Sequence, residues 1–178
     1  MNATPKILVR TALFLALAVV FPIAFHQFGL GGRIFLPMHI PVLLAGFICG
    51  PVSGLIIGLL SPGISFVLTG MPPSYAVPLM SIELCLYGLA AGLFYFRLRM
   101  NVYVALLVAL ILGRIGFALG LVVLGLFLEL PYGVETYFSA AVVTGLPGII
   151  VQLVFIPPIV AAVMRRERPS KTLPPEMG

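Results

Sequence analysis

Two ionisable residues stand inside long apolar runs of this 178-residue chain. Glu83 lies in "PLMSIELCLYGLAAGLFYF", residues 78–96, and Arg114 in "LILGRIGFALG". A carboxylate accepts hydrogen bonds, and a guanidinium is a planar fork of donors suited to carboxylate and phosphate oxygens. A charge near the bilayer centre costs on the order of 2.5–3.5 kcal/mol on insertion scales, so each group must face protein, water or a solute. Two readings follow, and they can coexist. The pair is a structural bridge between helices, or one or both groups line an outward-facing cavity and bind a polar solute. Three further polar residues suit that region. Gln152 shares a helical face with Gly145 and Gly148, which lets a helix or a ligand approach its amide; an interhelical hydrogen bond is the alternative. Tyr87 lies one turn inward from Glu83 on the same face, as a contact or as plain packing. His39, after Met38, opens a short apolar run where it can cap, sense pH or touch a ligand.

The elements that must position these residues follow from composition. The chain is 61% hydrophobic and 8% charged, with no tryptophan, which marks an integral membrane protein with no room for a separate soluble domain. Its length allows about six spans of roughly 20 residues. They are expected at residues 7–27, 38–50, 51–68, 76–96, 102–128 and 138–164, with a basic tail at 165–178, all in one membrane domain covering 1–178. The first run resembles a signal peptide, yet it is longer than a signal core and has no convincing cleavage site, so it reads as an uncleaved helix. The apolar stretch from His39 to Leu68 is too long for one upright helix. It divides at Gly50–Pro51, where the proline suits the first turn of a new helix, leaving a short second span bounded by proline and glycine. The fold class is thus all-α, with six transmembrane helices.

Orientation follows from the basic residues, which cytoplasmic loops favour. With six spans, Lys6, Arg10, Arg97, Arg99, Arg165, Arg166, Arg168 and Lys171 fall on one side, and Arg33, Glu129 and Glu135 on the other. Both termini are therefore expected in the cytoplasm, with the loops Phe28–Met38, Thr69–Tyr75 and Glu129–Thr136 outside. The net charge of +5 is dispersed between apolar runs, which suits topology and lipid headgroups and not nucleic acid. On this layout Glu83 lies roughly 10 Å and Arg114 roughly 20 Å below the outer ends of their helices, a mismatch that long side chains close only in part.

Met38, His39, His26, Cys49 and Cys85 are possible metal ligands, but their expected depths differ, so neither a metal site nor a disulfide is expected. No cofactor is implied. The chain has no HExxH, no Gly-x-Ser-x-Gly elbow, no Walker sequence and no aspartate, so it is not expected to be an enzyme, and a self-powered pump is excluded.

The six-span layout, "ALFLA" with Ala12 and Ala16 one turn apart, and "LPMHIPVLLAGFICGPVSGLIIGLLSPGISFVLTGMPP" together resemble the substrate-binding S-components of energy-coupling factor (ECF) vitamin transporters. The resemblance covers nearly the whole chain. It implies a small ligand held in the outer half of the bundle beneath the outward loops after the first and third helices. It also implies that Ala12 and Ala16 pack against a membrane scaffold subunit carried by two cytoplasmic ATPases, in a prokaryotic cell membrane. The pocket chemistry suggests a water-soluble vitamin or related micronutrient, with Arg114 favouring a carboxylate or phosphate and Glu83 a donor or cation. Pantothenate-like, pyridoxine-like, folate-like and corrinoid ligands all fit. The alternatives are a structural membrane protein in which Glu83 and Arg114 merely bridge helices, and a secondary carrier using Glu83, which the absence of a visible repeat disfavours.

Overall fold

The computed structural model describes residues 5–27, 36–127 and 134–167. Among them every regular element is helical: α1 Pro5–Gln27, α2 His39–Cys49, α3 Pro51–Thr69, α4 Ala76–Gly92, α5 Val102–Phe127 and α6 Val134–Glu167. Five of these are long and apolar enough to cross a membrane, and α2 is short. In hydrocarbon the backbone must satisfy its own hydrogen bonds, and helices do so. Most of the loops 28–38 and 129–136, expected outside, and the tail from residue 168 on, lie outside the described residues.

The helix ends have local causes. At Gly50, φ is +99°, a conformation that side chains resist, and Pro51 then opens α3 where its missing N–H is no loss. Pro62 does not interrupt α3, which runs on to Thr69 and stops at Gly70, left-handed at φ 72°, whose N–H bonds to the Phe66 carbonyl. The α4 helix continues as one π-helical turn, Leu93–Arg97, and α5 starts where the Asn101 side chain accepts the Val104 N–H at 2.8 Å. The last helix begins four residues before the expected Phe138. Hydropathy marks where a helix enters the membrane, and nothing in "VETYF" ends the helix there.

Within the bundle, α4 packs against α2, α3 and α5. Glycines set the spacing. A methyl on Gly54 would strike the backbone of Gly88, one on Gly58 the backbone of Leu84, and one on Gly46 the carbonyl of Gly88. Lipid tails are as apolar as leucine, so close backbone approach, and not hydrophobic exclusion from water, draws these helices together. Around this contact Val42, Leu43, Phe47, Ile57, Leu84, Tyr87, Leu106 and Ile156 are buried. Leu8, Val9, Leu13, Val67, Leu119 and Leu126 are exposed, as side chains facing lipid should be.

Candidate functional site

Helix α4 turns Glu83 and Tyr87, one turn apart, into the bundle, and both are buried. The Tyr87 hydroxyl donates to Glu83 Oε1 at 2.9 Å. Arg114 Nη1, from α5, lies 3.0 Å from the same oxygen. From α2, His39 Nε2 stands 3.7 Å from Glu83 Oε2, and its ring lies 5.4 Å from that of Tyr87 at 58°. One carboxylate therefore joins three helices, which answers how a glutamate survives among leucines: its charge is matched by the guanidinium.

The depth mismatch expected between Glu83 and Arg114 is absent. Counting from the outer ends misleads because α5 is longer than α4. Counted from the connection that α4 and α5 share, Glu83 lies roughly 21 Å from Arg97 and Arg114 roughly 18 Å from Val102, close enough to meet. The Gly113 backbone abuts the Tyr87 ring so closely that a methyl there would overlap it. Gly113→Ala should therefore push the phenol off Glu83 and lower stability by about 1–3 kcal/mol, as overpacking does. The check is thermal unfolding in detergent. Gly63→Ala serves as the control, since a methyl at Gly63 meets nothing within 4 Å.

Arg114 uses only part of its fork on Glu83. Its Nε and Nη2 are buried without a hydrogen-bond partner among the described residues, and so are both His39 nitrogens and both amide atoms of Gln152. A methyl on Gly145 of α6 would sit 2.5 Å from Arg114 Nη2, so the glycine is what leaves room for the guanidinium there. Gln152 is fully buried on the same inward stripe of α6, two turns further in, with Gly148, Ile156 and Val160. Thus Glu83, Arg114, His39 and Tyr87 come together directly, and Gln152 lies inward of them.

Residues 6–160 match the family model of the substrate-specific component of ECF transporters. The chain belongs to that family. No curated protein and no solved structure matches it. As an ECF substrate-specific component it is a multi-pass membrane protein of a transporter, and its part is to bind substrate. In this S-component Ala12 and Ala16 are both exposed on α1, while Ala18 and Val19 face inward, and Thr11, whose hydroxyl donates to the Ile7 carbonyl at 2.8 Å, meets the Ser53 hydroxyl at 2.9 Å and so fixes the rotation.

Sequence reasoning missed Ser61. Its hydroxyl is fully buried and unpartnered among the described residues. The contacts of Gly54 with Gly88 and of Gly58 with Leu84 set a register that brings Ser61 level with residue 81, within a turn of Glu83. The available signal was its neighbour Pro62, which removes a backbone donor inside an apolar helix and leaves a polar spot there. Among the described residues no three His, Cys or Glu side chains gather as a metal-ligand set, and Cys49 and Cys85 are not disulfide-bonded.

Proposed function

We propose that this S-component captures a water-soluble vitamin or related micronutrient from outside a prokaryotic cell and delivers it through a scaffold subunit powered by two cytoplasmic ATPases. The observation that carries this reading is the set of hydrogen-bonding atoms on Arg114, His39 and Gln152 that are buried and, among the described residues, unpartnered inside an apolar bundle. Each such group costs about 1–3 kcal/mol when left unmade, so a bundle selected only for stability would carry leucine or methionine instead. A solute that meets these atoms recovers that cost. Glu83, Arg114, His39, Gln152 and Tyr87 form the substrate site, and Ala12 and Ala16 the scaffold contact. The test is thermal stabilisation of the purified protein across a panel of water-soluble vitamins. A ligand present at 100 times its Kd adds about 2.7 kcal/mol to the bound fold, whereas a purely structural bundle shifts with none.

A second reading, that Glu83 and Arg114 only tie helices together, is favoured by their 3.0 Å ion pair. It accounts for the pair and leaves the unpartnered atoms without a role.

The proposed topology has six spans with both termini in the cytoplasm, the short α2 counting as one. On a background without Cys49 and Cys85, single cysteines at Gly31 and Tyr132 should react with an impermeant maleimide from outside, while one at Met100 should not. Outside labelling at Met100 would sink the six-span layout.

A further inference from the structure

The charge balance of the site points to the kind of molecule it takes. Glu83 and Arg114 are in direct contact, and each cancels the other. Among the described residues Glu83 is the only buried charged side chain, Arg114 beside it being 20% exposed; the other buried polar groups are His39, Ser53, Ser61, Ser65 and Gln152. The Glu83–Arg114 pair therefore contributes no net charge to the buried polar region.

What is left over is hydrogen-bonding capacity of both signs. Arg114 Nε–H and Nη2–H form a donor edge, the Gln152 amide offers donors and an acceptor, and His39 adds Nδ1, its Nε2 being the atom that faces Glu83 Oε2 at 3.7 Å. Gly145 and Gln152 are seven residues apart on one stripe of α6, so these groups extend over roughly 10 Å, the length of a small heterocyclic or amide-bearing molecule. An anion brought to the Arg114 edge would share the guanidinium with Glu83, placing two negative groups on one positive group in a buried site. The desolvation cost of the second charge would then have no counter-charge of its own.

We infer that the solute is electrically neutral, a polar molecule whose carbonyl or ring-nitrogen acceptors meet the free edge of Arg114 and whose donor–acceptor edge meets Gln152. Glu83 and Tyr87 are then positioning residues: they hold the guanidinium and cancel its charge without touching the solute. This rests on the reading of the protein as a solute-binding subunit. It replaces the carboxylate or phosphate expected from an arginine in isolation, because the partner of that arginine is inside the protein.

The test uses matched pairs that differ in charge: nicotinamide and nicotinate, pantothenol and pantothenate, biotin amide and biotin, pyridoxine and pyridoxine 5′-phosphate, riboflavin and flavin mononucleotide. Each is titrated into the purified full-length protein at pH 8 by calorimetry and thermal shift. In the pair that binds, the neutral member should have a Kd at least about tenfold lower, equivalent to 1.4 kcal/mol. Glu83→Gln, which keeps the hydrogen bonds and frees the charge of Arg114, should erase or reverse that preference. Tighter binding of the anionic member by the wild type overturns neutrality and leaves the solute-binding reading standing. A preference unchanged in Glu83→Gln overturns the positioning role. If no member of any pair binds, this inference is overturned, while the solute-binding reading is judged on the wider vitamin panel. Gln152→Leu adds a measurement that needs no ligand: removing an unpartnered buried amide should raise the melting temperature of the ligand-free protein, and a fall would show that the amide is paired and overturn its assignment to the solute.

Discussion

Arg114→Ala should be among the most damaging single substitutions in this protein, lowering its stability by about 3–5 kcal/mol, because it leaves Glu83 buried without its counter-charge. The Tyr87 hydroxyl at 2.9 Å and His39 at 3.7 Å are the groups left beside the carboxylate, and neither supplies the fixed charge that the guanidinium did. Thermal unfolding in detergent reads the loss. The informative comparison is the double variant Glu83→Leu with Arg114→Met, which removes both charges while keeping bulk. Buried ion pairs are often replaced by apolar residues with no net cost, so the double variant should recover most of the stability. It should not recover binding, because the donor edge of Arg114 goes with the charge. A folded double variant that binds its vitamin with unchanged affinity would count decisively against the substrate site proposed here.

The second large effect is on transport. Replacing Ala12 and Ala16 together by leucine should reduce uptake to background in cells carrying a complete transporter, while the purified subunit binds its solute as before. Both alanines are exposed, so the added bulk leaves the core untouched. It falls on the face where a neighbouring helix would approach closely, as small residues allow in a membrane. Co-purification with the scaffold subunit should fall in parallel. Two other outcomes discriminate between readings. A protein with only a structural role gives no vitamin uptake in the wild type, and a secondary carrier continues to transport when ATP is depleted. Full uptake by the double-leucine variant would remove this face from coupling.

Much of the helical layout is legible in the residues alone because prolines, glycines and charges act locally. Gly50–Pro51 can only be a break, since one residue needs a positive φ and the next lacks an N–H. Side-chain partnerships across the bundle are another matter. Glu83 and Arg114 looked offset because hydropathy reveals where a helix leaves the membrane and not how far it overhangs its neighbour, and the register is set by the short connection from Leu98 to Asn101. Gly113 carried no recognisable signal, because its role lies in the bulk of Tyr87 on the adjacent helix. Ser61 lies inside the expected span 51–68 with nothing in the sequence to mark its facing, and only the meeting of Gly58 with Leu84 brings it near Glu83.

The backbone contacts among Gly46, Gly54, Gly58 and Gly88 divide the molecule, for anyone who wishes to change its selectivity, into a part that tolerates redesign and a part that does not. Where main chain touches main chain, no larger residue fits, and libraries that vary these positions will be dominated by sequences that fail to insert or assemble. The side chains at 39, 61 and 152 belong to three different helices, and exchanging them leaves both the α3–α4 contact and the Glu83–Arg114 pair in place. New ligand preferences should therefore be reachable by varying three letters on a fixed frame. Exchanging whole helices between relatives, which would disturb the glycine contacts, is the less promising route.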